Sequence, residues 1–99
     1  MDITEIVDQL EQEAKSRHRH VRREATRERL ERAARLAVQR MESGVEGSGG
    51  DDAMVDELRD QAISEESVGG IGTIVAVWVL QSLFSWAIRR SIQIWRGSR

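Results

Sequence analysis

The chain has no cysteine, no proline and no tyrosine, and one phenylalanine, in 99 residues. Without cysteine there is no disulfide framework, no thiolate metal ligand and no thiol nucleophile. Without proline nothing interrupts a helix, which favours a mostly helical chain. Lysine is scarce as well. Lys15 is the only one and every other base is arginine, whose planar fork suits bidentate contact with phosphate or carboxylate, although a GC-rich genome would produce the same bias. Signatures of catalysis are missing too: no serine, histidine and acid gather in a local pattern, and "GGIG" at 69–72 neither follows a strand nor leads into Gly-Lys-Ser/Thr. No enzyme activity, cofactor, metal or small-molecule substrate is expected. The opening "MDITEIVDQLEQE" is acidic and amphipathic, so an ordinary secretory signal, basic and then apolar, is not expected either.

What is present is charge in blocks. The net charge of −2 divides into −5 over residues 1–14, +7 over 15–40, −8 over 41–67 and +4 over 68–99. Blocks of alternating sign suit contacts with other chains, with anionic surfaces or with each other. The densest basic run is "RHRHVRR", in which Arg17, Arg19, Arg22 and Arg23 are candidate contacts to phosphate or lipid headgroups. No aromatic residue interleaves it, so stacking on single strands is not indicated. His18 and His20 are two apart, which on a helix points them about 200° from each other, unsuited to clasping one metal.

The fold class read from these patterns is all-α. A long charged helix is predicted over 3–42, capped by Asp2 and stopped by Ser43-Gly44. Its first apolar stripe, Ile3, Val7, Leu10 and Ala14, continues through Val21 and Ala25, and forms a helix–helix surface that its own segment leaves uncovered. A second stripe, Leu30, Ala33, Ala34, Ala37, Val38 and Met41, lies on nearly the opposite face, which either one straight helix showing different faces to different partners or a kink or break near 26–29 would explain. The chain thus divides into an amphipathic, arginine-rich region over 1–43, a glycine-rich linker over 44–52, a short acidic helix and boundary over 53–67, and an apolar helix with a basic tail over 68–99. Helix-spaced pairs such as Glu28–Arg32 and Glu31–Arg35 need no explanation beyond an exposed helix surface.

From Ser67 to Ile88 there is no charged residue, and about 20 apolar residues span a bilayer. The predicted reading is therefore one transmembrane helix, Val68 to Ile88, with Trp86, Arg89, Arg90 and Trp95 as interface anchors. Gly69, Gly72 and Ala76 provide small residues for helix packing, and Gln81, Ser82 and Ser85 begin a polar stripe that, in lipid, would be turned towards a partner helix. Arginine is in excess after the span, which places the C-terminus inside. Function follows as an expectation: a small single-pass membrane protein with a structural, anchoring or assembly role, partnered by the lipid bilayer and by copies of itself or a larger protein assembly. One alternative is a soluble or virion-associated helical adaptor whose arginine-rich helix meets nucleic acid. Another is a small pore-forming or lytic membrane protein. Compact chains of this kind are common among viral and phage small proteins, in which case the virion membrane or capsid is the setting.

Overall fold

A computed structural model describes residues 2–44, 50–68 and 77–98, and every regular element among them is a helix. In chain order these are α1 (Ile3–Ala14), α2 (Arg19–Glu24), α3 (Arg27–Glu42), α4 (Gly50–Val68) and α5 (Val77–Gly97).

The long helix read over 3–42 is three helices. Asp2 caps α1, its carboxylate accepting from the Thr4 N–H at 3.2 Å. Ile6, Val7, Leu10 and Ala14 form its buried face. The chain then turns at Lys15–Arg17, with the Ser16 hydroxyl donating to the Glu13 carbonyl at 2.8 Å. α2 lasts six residues and ends at Ala25, whose ψ of 64° leaves the helical region. Thr26 restarts the helix, its hydroxyl oxygen accepting from the Arg29 N–H at 3.3 Å. Of the two explanations for the change of face, the break is the one found, at Ala25–Thr26. Removing this cap with Thr26→Ala is expected to cost about 1 kcal/mol, seen as a lower urea midpoint with unchanged slope. Ser43 closes α3 and Gly44 follows at φ 68°, the left-handed conformation that glycine adopts without a Cβ penalty.

The short acidic helix is longer than its sequence implies. "SEES" reads as a boundary, yet α4 continues through it to Val68. The reason is tertiary: Glu66 is held by Arg29 and Arg32 of α3, and Glu65 also reaches Arg32. Met54, Val55, Leu58 and Ala62 are the apolar edge that α4 buries.

α5 is the hub, packing against each of the other four helices, while α3 also meets α1 and α4. Leu83, Phe84, Ala87 and Ile88 are fully buried and join Leu10, Leu30, Ala34 and Leu58 in one core. The alanines of α3 bring the backbones of α3 and α5 close, which suits an alanine-rich stripe with little volume to fill. The chain's radius of gyration, 12.9 Å, matches the ~13 Å of a single packed domain of 100 residues.

The expected span finds no support in this arrangement. Among the described residues no helix is long and apolar enough to cross a membrane. α5 begins at Val77, and beyond Val77 and Trp78 its large apolar residues are turned inwards. Gln81, Ser82, Arg89 and Gln93 are exposed on the other side, so the polar stripe is the outer surface of an amphipathic helix. Residues 69–76 of the expected span, like 45–49 of the linker, lie outside the described residues. The α1 stripe is also accounted for within the chain: α3 and α5 cover Val7, Leu10 and Ala14, leaving Ile3 half-buried.

Candidate functional site

Most arginines of this chain are committed to carboxylates. Arg27 meets Asp8, Glu11 and Glu31, Arg40 meets Glu57, and Arg59 meets Asp56 and Asp60. The anchors expected at headgroups are equally engaged: Arg89 donates to Asp52 at 2.9 Å and Arg90 to Glu13 at 2.8 Å. Arg96 grips both oxygens of Asp51, at 2.7 and 3.0 Å. The Arg90 hydrogen bond holds the Glu13 carboxyl below the usual range, and Arg96 does the same for Asp51. These three pairs tie α5 to α1 and α4.

Among the described residues, Lys15, Arg17, Arg19, Arg22, Arg23 and Arg35 are the basic side chains with no carboxylate in ion-pair reach. All but Arg35 fall in the turn after α1 and in α2, and all of those are exposed. Local sequence explains the display. Val21 is the one aliphatic residue in "RHRHVRR" and is buried, docking α2 on α5. Its neighbours are consequently left outside.

His18 precedes the first helical residue of α2 and caps it, its Nδ1 accepting from the His20 N–H at 3.3 Å. The two rings consequently stack, with centroids 5.2 Å apart. The wide separation expected of two helical positions does not hold, because His18 has extended backbone geometry. No third histidine, aspartate or glutamate joins them among the described residues.

The tertiary fold adds aromatics that the basic run lacks. Trp78 of α5 stands edge-to-face with His20, centroids 5.6 Å apart. The Arg17 guanidinium lies over the Trp86 ring at 5.1 Å, a cation–π distance. Trp78 is 56% exposed and its neighbour Val77 57%, the two large apolar side chains left in solvent among the described residues. The site is therefore a patch of unneutralised cations with an apolar edge. The arginines are legible as a dense run, but no spacing rule links position 17 to 86 or 20 to 78. The lone Val21 was the available hint that the run docks by one residue and displays the rest.

The other expected site residues are scattered. Gln81 and Ser82 are exposed, Ser85 is half-buried, and Trp86 and Trp95 pack half-buried against the core. Gly69, Gly72 and Ala76 lie outside the described residues. An open cleft of about 240 Å³ between α1 and α3, lined by Ile3, Thr4, Val7, Glu31 and Arg35, is smaller than the usual small-molecule site. In comparisons with known proteins, the chain matches no family model, no curated protein and no solved structure.

Proposed function

We propose that this chain is a membrane-associated helical structural protein, attached at the bilayer surface by the Val77–Trp78 edge, with an anchoring or assembly role. The observation that carries the reading is the exposure of Val77 and Trp78, with Trp78 set against His20 of the segment whose Lys15, Arg17, Arg19, Arg22 and Arg23 have no carboxylate in ion-pair reach among the described residues. Tryptophan and arginine side by side suit the interfacial zone, where the ring sits among headgroups and the guanidinium meets phosphate. The sequence also runs back from Val77 to Ser67 without a charge, so nothing on that side opposes contact with lipid.

Insertion of Val68 to Ile88 as a full span is the stronger form of this reading. It would require Leu83, Phe84, Ala87 and Ile88 to leave a core in which they are fully buried, and Arg89 and Arg90 to give up their carboxylates. Surface attachment asks for neither, and it is the form favoured here. Both ends of the described fold then stay on one side of the bilayer, and charge asymmetry about a span no longer sets an orientation.

The test is vesicle flotation of the double variant Val77→Ser, Trp78→Ser. Both positions are more than half exposed, so folding is spared, while the lost apolar contact is worth at least about 1.4 kcal/mol, or tenfold in partitioning. Flotation equal to that of the unmodified chain would remove this edge as the attachment point.

A further inference from the structure

We propose that Lys15, Arg17, Arg19, Arg22 and Arg23 form a binding site for phosphate-bearing lipid headgroups, which makes attachment selective for anionic leaflets. This rests on the surface-attachment reading and names the partner chemistry of the same face.

The first argument is electrostatic. In a chain with more acids than bases, acids are available to neutralise every cation. The other arginines of α3, α4 and α5, Arg35 apart, each reach at least one. In the turn after α1 and in α2 none does so, although that segment is flanked by α1, which carries Asp8, Glu11 and Glu13. Asp8 and Glu11 are turned to Arg27 and Glu13 to Arg90. The fold spends its nearby acids elsewhere and leaves five like charges together, a mutual repulsion that an external anion relieves.

The chemistry of these side chains selects the anion. Guanidinium groups take phosphate through paired N–H donors, and four of these five side chains are arginine. α2 has six residues, a length of about 9 Å at 1.5 Å per residue. That covers one or two headgroups rather than a continuous nucleic-acid track. Trp86 is already occupied by Arg17 and is not free to stack on a base. Val77, which offers nothing to a nucleotide, stands next to the remaining tryptophan, Trp78. A bilayer presents phosphate and an apolar phase at adjacent depths, and α2 with the start of α5 offers a complement to each, joined where His20 meets Trp78.

The experiment uses the whole chain with vesicles of phosphatidylcholine and with equimolar phosphatidylcholine and phosphatidylglycerol. The unmodified chain is expected to prefer the anionic vesicles, and the preference should shrink as salt is raised. A basic residue at an anionic surface contributes about fivefold in binding. The double variant Arg22→Gln, Arg23→Gln should therefore lose roughly 25-fold on anionic vesicles and keep its binding to phosphatidylcholine. Its melting temperature should not move, since neither side chain has an ion pair to lose. Arg35→Gln removes an equally unpaired cation on α3 and should change binding by less than about twofold. A loss of about fivefold from Arg35→Gln, the same per charge as in the double variant, would mean that net charge, not a site, is responsible, and would overturn the proposal. So would displacement of the chain from anionic vesicles by inorganic phosphate beyond the effect of chloride at the same ionic strength, which would point to a free-phosphate site. Displacement by a single-stranded or duplex oligonucleotide at equal phosphate concentration would instead reassign the patch to nucleic acid. Equal binding to both vesicles would sink the headgroup site while leaving surface attachment standing. No binding to either would sink both.

Discussion

Phe84→Ala is expected to destabilise the chain by about 3–5 kcal/mol, the largest effect of any single substitution considered. Phe84 is the only phenylalanine and has no solvent exposure. It sits on α5 among Leu83, Ala87 and Ile88, where α1, α3 and α4 converge. Alanine removes the ring and leaves a void that the surrounding helices can fill only in part. Domains of this size hold about 5–15 kcal/mol in all, so the variant should be near its folding threshold at room temperature. Urea unfolding followed by circular dichroism checks this. The experiment also separates two architectures: a helix lying apart in lipid would lose little helical signal from this change, whereas a bundle built around α5 loses its centre. An unchanged midpoint would mean that α5 is not the core helix described here.

Second in size is Glu66→Gln, expected to cost about 2–3 kcal/mol, somewhat below the loss of one partner from a fully buried ion pair. Arg29 donates to Glu66 through Nε at 3.1 Å and Nη2 at 2.9 Å, and Arg32 Nη1 donates to the other carboxylate oxygen. The three side chains are 19%, 17% and 13% exposed, so solvent screens the cluster only weakly. Burial alone would push the Glu66 carboxyl up, but the hydrogen bonds from Arg29 and Arg32 override it and hold the group below its ordinary 4.5. The pH dependence follows. A carboxylate with a depressed pKa in the folded state adds stability that is complete above 4.5 and is lost as pH falls below that value towards the folded pKa. Glu13, under Arg90, and Asp51, under Arg96, act in the same direction. Stability of the unmodified chain should thus fall steadily below about pH 4.5, and the gap between it and Glu66→Gln should narrow over the same range. A gap that stays constant into strong acid would show that the cluster's charge is not its source.

Much of the helical plan could be read from local chemistry. Asp2 and Gly44 sit where a cap and a left-handed turn belong, whereas the change of face between Ala25 and Leu30 was compatible with either a break before α3 or one straight helix. These signals are local because each depends on a few neighbouring residues. What could not be read was the destination of the uncharged run. A window from Ser67 to Ile88 averages over all sides of a helix and so hides the fact that Gln81 and Ser82 share a side with Arg89 and Gln93. The same polar residues suit a helix interface in lipid and a wet surface in a bundle, and the choice rests on Leu10, Leu30, Ala34 and Leu58, which are contributed from elsewhere. α4 was read short for a related reason: serine and glutamate are good caps, and only the arginines of α3 make them the last turns of a helix. At the candidate site the cations were legible from density alone. That they remain unneutralised, and that Trp78 and Trp86 join them, depends on where α1, α2 and α5 meet.

Because every other helix packs on α5, the order of synthesis matters to this protein. α5 is the last of the five to leave the ribosome, so until it emerges α1, α3 and α4 have only one another to pack against and the surface that α5 covers stays open. Folding waits for the far end of the chain and then proceeds through contacts that are distant in sequence, the slower kind. Until then the parts of α1, α3 and α4 that α5 covers in the finished fold remain open, apolar surface that chaperones recognise and that other nascent chains can join. Truncation anywhere before Phe84 should accordingly yield an aggregating fragment rather than a smaller bundle.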